Sequence, residues 1–150
     1  MKKLLLILSI CILLCACGKT EEVPPVVLDF TTEYFGDVDP QGLQVQHGEV
    51  QSILQNGDIV IITCKVRDNL TNDMIVKQNY YNVEKLVTKN GFNTCNTLKY
   101  MAVMDVDGEE IKVVSFDLNK ETIDKIYNEQ IFGSQIADYA ESLWINSGLQ

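Results

Sequence analysis

Two dipeptides, Asn56-Gly57 and Asp107-Gly108, constrain this chain more than any other feature. Each lies between two runs of strand-forming residues, and each suits the positive backbone dihedrals of a two-residue hairpin turn. The first joins "EVQSILQ" to "DIVIITCKV", and the second joins "TLKYMAVMDV" to "EEIKVVSFDL". In the second hairpin Leu98, Tyr100, Ala102, Met104 and Val106 alternate onto one face. Ile59 to Ile62 show no alternation, which predicts a central strand covered on both faces.

Helical spacing fills the gaps between these signals. In "NYYNVEKLVTKNG", Val83, Leu86 and Val87 fall on one side, an asparagine is available as N-cap, and Gly91 is placed to close the C-terminus, a helix of about three turns. After the second hairpin Asn119 can cap another helix, with Leu118 and Ile123 as a hydrophobic staple and Ile123, Ile126, Tyr127 and Ile131 as its stripe, ending at Gly133. Ser134 can cap a last helix carrying Ile136, Tyr139, Ala140, Leu143 and Trp144. The expected order is therefore ββαββαα: an α+β fold, an antiparallel sheet of about four strands in two hairpins with helices packed on one face. Upstream, "LDFTTEYFGDVDPQGLQVQH" has no clean period and is broken by Gly36, Pro40 and Gly42; it reads as irregular, with a short strand or helix near Phe30 to Phe35.

The N-terminus follows a different pattern. Lys2 and Lys3 precede an apolar run from Leu4 to Leu14, followed by small residues, the layout of a secretory signal. As a helix, Leu4 to Cys17 would rise only about 21 Å, short of the roughly 30 Å of a hydrocarbon core. Leu14-Cys15-Ala16-Cys17 resembles the Leu-x-(Ala/Gly)-Cys box that ends the signals of bacterial lipoproteins. That resemblance covers the targeting segment alone. It implies cleavage before Cys17 and a diacylglycerol on its sulfur, giving residues 1–16 as signal peptide, 17–27 as lipidated N-terminus and tether, and 28–150 as one extracytoplasmic domain. Two acyl chains hold a protein stably at a bilayer, whereas one does so only marginally. The implied location is the cell membrane, facing outward, or an outer membrane in a cell with two. Pro24 and Pro25 would stiffen the tether.

Loss of the signal removes Lys2 and Lys3 and leaves 10 basic against 21 acidic residues, a charge of −11. Such a balance disfavours nucleic acid and gives no polybasic help at anionic lipid, so the membrane is contacted through the anchor. Of five cysteines, Cys64 and Cys95 remain to pair. An exported location permits that disulfide, and closing about 31 residues would stabilise the fold by roughly 3 to 4 kcal/mol. Two buried thiols are the competing reading, favoured by the apolar setting of Cys64. The spacing fits neither a redox pair nor a zinc knuckle.

Catalytic signatures are sparse. The single histidine, His47, sits in polar "QVQHGEV" and reads as a surface residue; no Gly-x-Ser-x-Gly elbow, phosphate loop or zincin spacing is present. "DVDGEE", Asp105 to Glu110, lacks the glycine and glutamate positions of a calcium loop and reads as a hairpin turn with solvated carboxylates. Tyr100 and Trp144 lie on apolar stripes and are expected to be buried. Adjacent Tyr80 and Tyr81 cannot face the same way on a helix, so one of them is exposed and is the candidate interaction residue. These readings lead to a non-enzymatic domain with no metal or cofactor, binding a protein, peptide or envelope component. Two alternatives stand beside it: an extracytoplasmic enzyme using carboxylates or the Cys64/Cys95 pair, and an inhibitor or immunity-type protein.

Overall fold

A computed structural model describes residues 24–67 and 71–149. Strands β1 (Tyr34–Val38), β2 (Glu49–Gly57) and β3 (Ile59–Lys65) come first, followed by helix α1 (Asn72–Lys89). Strands β4 (Thr97–Val106) and β5 (Glu109–Asn119), helices α2 (Lys120–Tyr127) and α3 (Ile136–Tyr139), and strand β6 (Glu141–Ile145) complete the order. All six strands join one sheet in the order β1-β2-β3-β4-β5-β6. Every neighbouring pair is antiparallel except β3 and β4, which run parallel.

The expected four-stranded antiparallel sheet is thus replaced by a six-stranded mixed one. Both hairpins form, but α1 carries the chain from the end of β3 back to its start, so β4 must run alongside β3 in the same direction. At the first turn the register pairs Asn56 with Ile59, which moves the two loop positions to Gly57 and Asp58, one residue later than expected. At the second, Asp107 and Gly108 take φ 52° and 86°, the left-handed pair that a tight hairpin requires.

Two further strands complete the sheet, one expected only as a short strand or helix near Phe30 to Phe35 and one not expected at all. The segment read as irregular supplies β1, which pairs with β2 from Tyr34↔Gly57 to Val38↔Ile53. The helix expected to carry Leu143 and Trp144 ends at Tyr139 instead, and Glu141–Ile145 pairs with β5. Five apolar residues over nine positions satisfy a helical period, yet the outer edge of β5 presents unpaired backbone groups that a strand satisfies and a helix does not. Ser142, at φ 52°, makes the irregular pairing of this edge.

Three rows of side chains cross the sheet on the side facing the helices. Ile53, Ile62, Tyr100 and Phe116 make the middle one, flanked by Val60–Leu98–Leu118 and Cys64–Ala102–Val114. The Tyr100 and Phe116 rings stack 5.1 Å apart, and Tyr80 of α1 tilts against Phe116 at 5.5 Å. Val83, Leu86 and Val87 of α1 are fully buried over these rows, as their spacing predicted, and so are Ile123 and Ile136. Asn119 caps α2 by accepting the Thr122 N–H at 2.9 Å. That helix stops at Tyr127, before the expected Gly133, where Glu129 takes the left-handed turn. On the opposite side β3 shows half-buried Ile59, Ile61 and Thr63, so this central strand is covered fully on one face only.

Candidate functional site

Cys64 lies on β3 and Cys95 just ahead of β4, both buried and both free. Cys64 is level with Ala102, five strand positions beyond Thr97, where β4 begins. That interval alone spans about 16 Å, whereas a disulfide needs Cα atoms within about 7 Å. The pairing left open by the sequence is therefore not made. Burial pushes both thiols from the ordinary 9.0 up to about 12, opposed in Cys64 by the Tyr100 hydroxyl beside it. Cys95 donates its S–H to the Phe92 carbonyl at 3.1 Å. Neither thiol is activated: burial holds both in the protonated form well above the ordinary range.

Beside Cys64 a polar network runs under α1. The Tyr100 hydroxyl donates to Asn79 Oδ1 at 2.8 Å, and Asn79 Nδ2 donates to the Ile75 carbonyl at 2.6 Å. Asn82 closes two bonds on the backbone of His47, accepting its N–H at 2.7 Å and donating to its carbonyl at 2.8 Å. The half-buried His47 is thus the point where the loop before β2 is fastened to α1. Its backbone does that work, and its imidazole has no part in it.

Tyr80 and Tyr81 divide as adjacent helical residues must. Tyr80 is buried against Phe116, whereas Tyr81 is half-buried on the rim of a groove of about 400 Å³ shared with Gln46, Glu84, Lys85, Thr88 and Lys89. Glu84 Oε2 accepts the Gly133 N–H at 2.7 Å, which fixes its carboxylate at the groove wall with its charge retained. Among the described residues Lys85 and Lys89 have no ion-pair partner. The sequence offered Tyr80 or Tyr81 without choosing between them and missed the two lysines, although Lys77, Tyr81, Lys85 and Lys89 recur every fourth residue along one helix stripe.

This groove ends where the chain's N-terminal segment docks. Asn90, just past α1, donates from Nδ2 to the Val26 carbonyl at 2.8 Å and accepts the Leu28 N–H at 2.9 Å. Val26 and Val27 on that segment are 36% and 68% exposed. Cys17, the expected lipidation site, lies outside the described residues.

The sheet face away from the helices is bare. Trp144, expected in a helix core, stands here 41% exposed with Lys112 Nζ 4.0 Å above its ring. Thr63, Met101 and Ser115 share its row, and in the next one Lys99 faces Asp117 at 3.5 Å. Nearer the hairpin tip Lys65 holds Asp105 at 2.7 Å and Glu110 at 3.5 Å, and Gln51 donates to Glu110 at 2.8 Å. These carboxylates are thus occupied by a lysine and an amide. Among the described residues no group of three His, Cys, Asp or Glu side chains is placed to hold a metal ion, and no helix is long and apolar enough to cross a membrane. No protein-family model, curated protein or solved structure matches the chain.

Proposed function

We propose that the chain is a bacterial envelope lipoprotein, anchored through Cys17, whose small α+β domain is a non-enzymatic binding module for a protein or peptide. The observation that carries the reading is the Leu14-Cys15-Ala16-Cys17 box after a cationic and apolar leader. Among the described residues the first one docked through its backbone is Val26, with eight residues between it and Cys17 and so within at most about 30 Å of the anchor. For the binding role, support comes from the bare sheet face around Trp144 and Lys112, where an exposed indole offers the large amphipathic contact that interfaces favour. A thiol enzyme finds no support in two buried sulfurs held up at about 12.

The test is Cys17→Ser in the producing cell. Shedding of the variant into the medium, with a diacylglycerol mass on the wild-type N-terminus, is the expected result. Retention of the variant on membranes, or an unmodified thiol on the mature wild-type product, refutes the anchor.

A further inference from the structure

Nine basic side chains lie among the described residues, and most are neutralised locally. Lys65, Lys77, Lys99, Lys120 and Lys125 each sit in an ion pair, and Lys112 is over Trp144. Arg67, Lys85 and Lys89 have no ion pair among the described residues, and of these Lys85 and Lys89 share a surface: both line the groove beside Tyr81, on the last two turns of α1. Lysine in the last turn of a helix complements its dipole, which accounts for Lys89. It does not account for Lys85 one turn earlier, nor for two uncompensated cations side by side on a chain whose mature charge is −11.

Their position supplies the rest. The residue after Lys89 is Asn90, which holds Val26 and Leu28, so the tether leaves the domain at the foot of the lysine groove, past the exposed Val27. Because α1 runs back against β3, this end of the molecule is opposite the Asp107-Gly108 tip, a ten-residue strand of about 30 Å away.

Resting on the anchored reading above, we infer that Lys85 and Lys89, with Val27 beside them, form the surface by which the domain rests on its own membrane, the ammonium groups meeting the phosphates of anionic lipid headgroups. An acidic globule on a short leash is repelled by an anionic bilayer over most of its surface, and a groove where two lysines outweigh the single Glu84 carboxylate therefore favours facing down. Each lysine at such a surface weights the docked orientation by about fivefold, and the pair by about 25-fold. The interaction fades within a Debye length of about 10 Å, so salt abolishes it.

The experiment uses the full lipidated protein in vesicles of phosphatidylcholine, or of phosphatidylcholine with about one-third phosphatidylglycerol, each doped with a headgroup-spin-labelled lipid. Trp144 is the only tryptophan, so Gln46→Trp with Trp144→Phe places a single reporter at the groove, and the unaltered chain reports from the opposite face of the sheet. The reporter at position 46 is quenched several-fold more on anionic than on neutral vesicles, and the difference disappears with Lys85→Gln/Lys89→Gln or in 0.5 M salt, and survives Lys85→Arg/Lys89→Arg; Trp144 is unaffected throughout. Equal quenching on both vesicles, or an unchanged response in the double glutamine variant, overturns the inference while leaving the anchor standing. Tight, salt-sensitive binding of soluble polyglutamate with no lipid dependence assigns the groove to an acidic polypeptide and also overturns it. Failure of the protein to float with either vesicle refutes the anchor and the inference together.

Discussion

Gly91 is the residue on which the docking of the tether depends. It takes φ 86° immediately after α1, and a Cβ built there would stand 1.8 Å from the Leu28 carbonyl oxygen and 2.9 Å from its nitrogen. Gly91→Ala therefore carries two costs. The left-handed dihedral costs an L-residue about 1 to 2 kcal/mol. The methyl group also forces residues 26 to 28 off the domain, breaking the Leu28 N–H bond to Asn90 O and the Asn90 Nδ2 bond to Val26 O, about 1 kcal/mol each. The total is about 3 to 4 kcal/mol. Gly108 provides the control, because it has the same φ of 86° with nothing within 4 Å of an added Cβ. Gly108→Ala thus costs only the dihedral part, about 1 to 2 kcal/mol. For a domain of this size each kcal/mol lowers Tm by roughly 3 to 5 °C, which separates the two variants by about 5 to 10 °C. Thermal unfolding of the full chain followed by near-ultraviolet circular dichroism measures this, and proteolysis at Val26-Val27 should accelerate in Gly91→Ala alone. If the two variants unfold within about 1 kcal/mol of each other and are cut equally fast, the contact with Leu28 does not confine the tether.

Asn119→Ala removes both the acceptor of the Thr122 N–H and a donor to the Glu141 carboxylate and should cost about 1 kcal/mol by denaturant titration, with Asn119→Ser, which keeps a capping acceptor and brings no charge beside Glu141, closer to wild type. Cys64 and Cys95 should resist iodoacetamide at pH 8.5 in the folded chain and react in denaturant, read by mass spectrometry of their peptides. The same thiols predict alkaline instability. Unfolded they lose protons near 9.0, folded only near about 12, so between those values the unfolded state holds fewer protons and stability falls as pH rises. Below about pH 9 both states are protonated and the thiols contribute no slope; a stability that stays flat from pH 9 to 11 contradicts their burial.

Local chemistry was legible in the sequence, and long-range pairing was not. Asn119 and the Asp107-Gly108 turn act through neighbours within a few residues, as their residue types require, and Gly91 takes its left-handed turn after α1 as expected, whereas its contact with Leu28 was not legible. The buried side of α1 was equally readable, since Val83, Leu86 and Val87 have no other way to share a surface. What failed was everything decided by the edge of the sheet. Nothing in "EYFGDV" alternates strongly enough to announce a strand; β1 forms because β2 offers an unpaired edge. Likewise Leu143 and Trp144 fit a helix stripe by spacing, and only the vacant side of β5 decides for a strand. Tyr80 and Tyr81 do point different ways, but neither is exposed as expected, Tyr81 being half-buried, and which one is buried depends on where α1 crosses Phe116, a tertiary fact.

The bare face of the sheet bears on how an anchored domain could meet a partner. Its apolar residues are interrupted by Lys99–Asp117 and by Lys65 with Asp105 and Glu110, so it tolerates water without a covering layer. Trp144 departs from this arrangement, held by Lys112 yet still open. If the lysine groove faces the bilayer, the strands run away from the membrane and this face stands upright, exposed to the envelope from the side. A partner reaching Trp144 then approaches parallel to the membrane, leaving the lipid contact undisturbed, so Trp144→Ala should weaken partner binding while leaving the Lys85/Lys89 vesicle response intact.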